Sequence, residues 1–304
     1  MASGAPQGSR SLLPGRSALS GLFSLTAFMA ILVWSGVAPF GKYALEDFPT
    51  LAYVAWRPIL AAAGIFALLS VRRQPTSVRT SDWRRFAVAG AACIGVSQLL
   101  FIGGLARTSV AHLIILASTS PLMVATFRWL FRGHRPDRIS GLGMLVGFLG
   151  VVVVVGDAGS TAGTSVVGDL MALGAAATLV GATILPQPLV RDYGALRASA
   201  WLLVAASALV FPLGAMAIVE TFQQPPPPLA WASMVYTALA LLVGNTLWQR
   251  AVQQIGPAKT LVYLYLEPFL ALAIAAIILG ERLTPTQAIG GVLAMMGVML
   301  VRKD

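Results

Sequence analysis

Apolar residues run along this chain in long stretches separated by short polar loops. The stretches predict ten helical spans: 19–40, 50–70, 83–105, 110–131, 138–156, 166–188, 196–217, 229–252, 258–280 and 285–302. A helix needs about 20 apolar residues to cross the hydrocarbon core of a bilayer. The pattern therefore predicts an all-α integral membrane protein. The spans use nearly the whole chain, so no soluble catalytic or signalling domain fits in what remains.

The second half reads as a copy of the first. Pro39 and Pro186, Ala111 and Ala258, Pro121 and Pro268, Gly133 and Gly280, Arg135 and Arg282, Gly143 and Gly290, and Gly150 and Gly297 all stand 147 positions apart. The chain thus divides into a polar tail at 1–18, a first five-helix repeat at 19–156 and a second at 166–302. Five is an odd number, so the copies enter the membrane upside down relative to each other. Repeated helical halves of this kind point to a transporter with its site between the repeats.

Composition agrees with a membrane setting. Hydrophobic residues make up 57% of the chain and charged residues 11%, against roughly 25% charged in soluble domains; mean hydropathy is +0.81. The net charge of +10 has a topological explanation. Of the 21 Lys and Arg, 17 fall in the segments on the N-terminal side of the membrane, and Lys42, Arg107 and Arg282 fall on the other. The positive-inside rule then places both termini in the cytoplasm, in an inner (plasma) membrane, and nucleic acid is not needed to account for the charge. The first 18 residues lack an apolar core and read as a short disordered tail, not a cleaved signal. Cys93 is alone, so an intrachain disulfide is excluded.

Residues 261–301 carry a family resemblance. Tyr265-Leu266-Glu267-Pro268 precedes an apolar stretch, then Gly280-Glu281-Arg282-Leu283-Thr284-Pro285 and a glycine-rich last span with Gly290, Gly291 and Gly297. This closely resembles the end of the EamA-type transporters of the drug/metabolite transporter superfamily. Trp34, Arg57 and Gly168-Asp169-Leu170 extend the likeness into both halves. The resemblance implies ten helices in two inverted five-helix repeats and export of small metabolites. Within the family the chain is similar to bacterial amino-acid exporters of the YddG type. The halves also differ: His134 stands opposite Glu281, Ser120 opposite Glu267 and Gly181 opposite Trp34. They bring different chemistry to a shared site.

Glu267 is the acidic side chain deep within a span. An ionised carboxylate there is expensive, so it reads as a functional candidate, either a proton site or a contact for a substrate's ammonium; the competing reading is a packing element beside Pro268. Pro268 and Pro121 are predicted helix breaks or hinges. Each frees the carbonyl four residues back, on Leu264 and Ala117. Gln98 aligns with Asn245, and Phe101 with Trp248. Each pair is three apart in its own helix, so its members share a face. Tyr263 and Glu267 are four apart and share another. Trp34, Gln98, Asn245, Trp248, Tyr263 and Glu267 are therefore the predicted substrate-binding residues. Ser118, Thr119 and Ser120 read as packing groups. Arg57 reads as a structural tie towards the outer half, and His112 as an interface residue. Glycines at 143, 147 and 290 favour close helix packing. Whether spans 5 and 10 pack on each other or on a second protomer in a homodimer stays open.

Other functional classes lack their chemistry. With two histidines and no paired carboxylates within the spans, the chain has no metal-ligand cluster of a membrane enzyme. No catalytic residue, metal or cofactor is expected. A glycine-rich phosphate loop for ATP is also missing. Phosphorylated substrates call for several cations in the cavity, and only Arg57 is available. A small neutral or zwitterionic substrate, surrounded by membrane lipid as the protein's other partner, fits best. The alternative is efflux of hydrophobic or aromatic cations, which one buried Glu among aromatic rings also suits.

Overall fold

The protein is described as a computed structural model covering residues 24–120, 122, 123, 126, 129, 137–157 and 163–300. The predicted tail at 1–18, Pro121 and the pairing of Gly133 and Arg135 with the second half lie outside the described residues.

Every regular element among these residues is helical. We label them α1 (Leu25–Ala44), α2 (Thr50–Val71), α3 (Thr80–Leu105), α4 (Val110–Ala117), α5 (Arg138–Gly156), α6 (Val166–Tyr193), α7 (Ala195–Gln223), α8 (Pro228–Ile255), α9 (Lys259–Ile278) and α10 (Pro285–Leu300). Eight of these are long and apolar enough to cross a bilayer. The apolar α10 has 16 residues, and α4 is the described start of the predicted fourth span.

Local winding follows the prolines and caps. Helix α1 breaks at Gly36, where the ring of Pro39 displaces the carbonyl of Ser35. Helix α6 breaks at residues 185–186, beside Pro186. Tyr263–Leu266 tighten to a 3-10 turn just before Pro268, since that ring cannot continue the α-helical ladder. Ser24, Ser109, Asp137 and Ser165 cap the starts of α1, α4, α5 and α6 by accepting from first-turn amides.

Lipid removes the hydrophobic drive for helix association, so close packing of small residues takes over. The buried positions are rich in Ala, whereas Met216, Phe222, Phe269 and Ile277 face outward. The most extensive helix pair is α5 with α10. A Cβ on Gly297 would fall on the backbone of Gly147, and one on Gly150 would fall on Ala294. These two helices pack on each other within one chain, which answers the question the glycines left open.

The principal pairings between the halves come in exchange-related sets. Helix α1 packs on α8, as α6 packs on α3; α2 packs on α8, as α7 packs on α3; α4 packs on α6, as α9 packs on α1. Helices α2 and α7, α4 and α9, and α5 and α10 meet directly. Replacing each helix by its counterpart five places along returns the same set.

Candidate functional site

Where the halves meet, helices α1, α2, α3 and α4 of the first and α6, α8 and α9 of the second enclose a cavity of about 110 Å³. Trp34, Arg57, Gln98, Phe101, Ser118 and Glu267 give it its character; Ala175, Ala176 and Leu179 form the α6 wall.

Arg57 is 2% exposed. One end of its guanidinium donates to Gln98 Oε1 at 2.7 Å, and the ring of Tyr53 lies 5.7 Å from Cζ. Its buried Nε has no hydrogen-bond partner among the described residues. Glu267 is only partly buried and reaches the cavity surface from α9. Arg57 and Glu267 form no ion pair with each other, and Glu267 has no side-chain donor among the described residues. One cavity therefore presents a cation and a carboxylate, each with capacity left for a ligand.

Of the six predicted binding residues, Trp34, Gln98 and Glu267 line this cavity. Trp248 stands behind Trp34, with ring centroids 5.1 Å apart, and its Nε1 donates to Thr183 Oγ1 at 3.3 Å. Asn245 lies one turn from the lining Leu241; its buried Nδ2 has no partner among the described residues. Tyr263 is not in the lining. Its hydroxyl accepts from the Ser24 backbone N–H at 2.6 Å. The 3-10 turn between Tyr263 and Glu267 advances three residues per turn, so a spacing of four no longer aligns their side chains.

The freed carbonyls are occupied, contrary to the sequence expectation. Ala117 O accepts from Ser120 Oγ at 2.7 Å, and Leu264 O accepts from the Glu267 N–H. Ser118 and Thr119 likewise bond back to their own helix, at Ile114 O and Leu116 O. That leaves the Glu267 carboxylate as the charged acceptor in the cavity wall.

Two readings from sequence need correction. Arg57 is tied to Gln98, but it is also part of the cavity wall. His112 is not at a lipid interface: it is fully buried, with Nδ1 2.9 Å from Asp169 Oδ2 and Nε2 3.7 Å from Asp157 Oδ2. Thr108 Oγ1 donates to Asp169 Oδ1 at 2.6 Å, and Lys42 Nζ donates to the carbonyls of Leu105 and Thr108 at 2.9 and 2.8 Å. This cluster ties α1, α3, α4, α5 and α6 together on the side of the molecule opposite the arginine-rich loops. A charge buried within a span was a usable signal for Arg57. Nothing in the pattern of Ala175 and Ala176 marked them as a cavity wall.

At the arginine-rich face, Tyr193 links the loop before α3 to the end of α6. Its hydroxyl donates to Asp82 Oδ2 at 2.6 Å and accepts from the Arg79 N–H at 3.1 Å. Trp201 Nε1 donates to Thr76 O at 2.7 Å. Polar ties thus join neighbouring helices at both ends of the bundle.

A solved crystal structure superposes on this fold with a TM-score of 0.63, over 93% of this chain and 98% of that one, at 19% identity. Among curated relatives, the uncharacterized transporter YdeK of Bacillus subtilis (strain 168) is 27% identical over 262 residues, covering 85% of this chain and 89% of its own. A protein of Streptantibioticus cattleyicolor named "Probable terminal-alkyne amino-acid exporter" is 26% identical over 280 residues, covering 90% and 91%. Residues 21–156 and 166–303 each match the EamA-like transporter family, one copy per half. On that evidence, this multi-pass membrane chain belongs to the EamA-like transporter family.

Proposed function

We propose that this protein is a secondary transporter that exports amino acids, or similar small zwitterionic metabolites, across the inner membrane by alternating access. The observation that carries this reading is the shared cavity of Arg57 and Glu267. A zwitterion satisfies both at once: its carboxylate takes the open side of the guanidinium, and its ammonium takes Glu267. Trp34 and Phe101 then face the substrate's side chain. Charge-assisted bonds of this kind contribute about 1.5–3 kcal/mol each. The cavity is far smaller than the roughly 300–1,000 Å³ typical of sites for drug-sized ligands. That volume and the nearby Arg57 count against hydrophobic cations, the alternative suggested by Glu267 and the rings. The name of the Streptantibioticus relative also favours amino acids.

The architecture we propose is ten transmembrane helices in two inverted five-helix repeats, with both termini cytoplasmic. The exchange-related helix pairings and the odd number of spans per half support it, and the 17-to-3 charge bias supports the orientation.

The test is uptake of labelled amino acids into vesicles reconstituted with the pure protein. Wild-type protein is expected to transport amino acids, and Glu267→Gln to lose affinity in both driven and exchange modes. If Glu267 instead carries a coupling proton, that variant loses pH-driven transport and keeps exchange. Wild-type affinity, rate and pH response in a folded Glu267→Gln protein would reduce Glu267 to a packing element. Failure of any amino acid to be transported or to compete overturns the substrate assignment.

A further inference from the structure

A second cavity, of about 530 Å³, lies at the arginine-rich face. It is bounded by the end of α2, the start of α7 and the last turns of α8. Three arginines, Arg72 just past the end of α2, Arg197 of α7 and Arg250 of α8, share its wall, and no acidic residue lines it. Arg197 is held in place: it donates to Tyr193 O at 3.2 Å and Ser77 O at 3.4 Å, and its Cζ lies 5.1 Å from the Tyr193 ring centre. Arg72 and Arg250 are exposed and form no ion pair among the described residues. Like charges gathered without a counter-ion repel one another, so an anion there relieves all three.

Much of the remaining wall is apolar, with Leu68, Leu242 and Leu247 among its residues beside the polar Gln74 and Thr246. It also continues outward. Val243 lines the cavity, and Val235, Leu239 and Val243 recur every four residues on one face of α8, at 44%, 54% and 39% exposure. An apolar stripe therefore leads from the arginines along the outer surface of a membrane-spanning helix. A free phosphate has no use for such a stripe; a lipid acyl chain does.

We propose that this cleft binds an anionic phospholipid of the cytoplasmic leaflet, with its phosphate between Arg72, Arg197 and Arg250 and its acyl chains along the Val235–Val243 stripe. Guanidinium groups grip phosphate oxygens in pairs. Basic pockets between helices on the cytoplasmic side suit such headgroups. Because the cleft lies between the start of α7 and the helices it packs on, a bound lipid would brace the junction of the two halves at this face.

The full-length protein in nanodiscs of phosphatidylcholine doped with phosphatidylglycerol tests this, with lipid retention read by native mass spectrometry. Wild-type protein is expected to retain phosphatidylglycerol over phosphatidylcholine. The double variant Arg72→Gln/Arg250→Gln should lose that preference by about thirtyfold. Leu247→Trp fills the cleft without changing charge and should lose it too, so the test survives poor folding of either variant. Arg84→Gln/Arg138→Gln removes equal charge elsewhere on the same face and should behave as wild type. Equal loss in that control overturns the site in favour of diffuse attraction, and retention in both cleft variants overturns it outright. Displacement of phosphatidylglycerol by an equal concentration of inorganic phosphate would make the ligand a soluble anion and overturn the lipid assignment.

Discussion

The indole of Trp34 occupies the notch on α8 left by the missing side chain of Gly244: a Cβ there would overlap its Nε1 edge. The ring also packs against Trp248, with centroids 5.1 Å apart. Trp34 thus reaches the cavity wall wedged between two α8 positions one turn apart. Gly244→Ala is expected to push the ring off this seat and to lower stability by about 1–3 kcal/mol, the usual range for overpacking. Thermal unfolding checks the stability, and transport in vesicles should fall with it. Adding Trp34→Phe, which shrinks the ring, should restore the melting temperature in part. A Gly244→Ala protein with unchanged melting and transport would show that this notch does not hold the ring.

Arg57 and Glu267 should divide the substrate between them. Arg57→Gln is expected to weaken competition by amino acids about ten- to a hundredfold, one charge-assisted bond's worth. Its effect on amino-acid amides, which lack the carboxylate, should be small. Glu267→Gln should discriminate the other way, against substrates that keep the ammonium. If Arg57→Gln weakens amides as much as acids, Arg57 does not read the carboxylate; if Glu267→Gln weakens N-acetylated amino acids, which lack the ammonium, as much as free ones, Glu267 does not read the ammonium.

The cluster of His112, Asp169 and Thr108 should hold one end of the bundle shut. Asp169→Ala removes the acceptor from both partners. It should cost about 1–3 kcal/mol for each buried polar group left without one. A second readout separates sealing from mere stability. In a Cys93→Ser background, a cysteine at the cavity-lining position of Val37 should react faster with an impermeant thiol reagent applied from outside once Asp169 is replaced. Unchanged reactivity would confine the cluster to a structural role.

Orientation has a direct check. In the same background, a cysteine placed between 157 and 166 should react with the impermeant reagent from outside, and one between 74 and 80 should not. The opposite pattern would invert the protein in the membrane and leave its fold untouched.

The α5–α10 contact predicts a steep size limit. Gly297→Val places a branched side chain where the backbone of Gly147 already stands. We expect loss of the monodisperse folded protein in detergent, whereas substitution of Gly141, whose Cβ direction is open, should leave it intact.

Much of this molecule follows from the sequence by itself. Long apolar runs leave a chain little choice but to form helices in lipid, where each backbone polar group needs an internal partner. Gly147 and Gly297 announce a close contact because small residues let helix backbones approach. Glu267 announces a site because burying its charge in a span is costly. What sequence spacing does not specify is how helices are turned towards one another. Spacing placed Tyr263 beside Glu267, but the 3-10 turn ahead of Pro268 rotates them apart. Counting from proline freed the carbonyls of Ala117 and Leu264, yet Ser120 and the Glu267 amide take them. Arg57 and Glu267 stand 210 positions apart in the chain, and only the packing of α2 and α9 around a common cavity brings their opposite charges to one small volume. Periodicity along one helix fixes which residues share its face; the contacts between helices decide what that face meets.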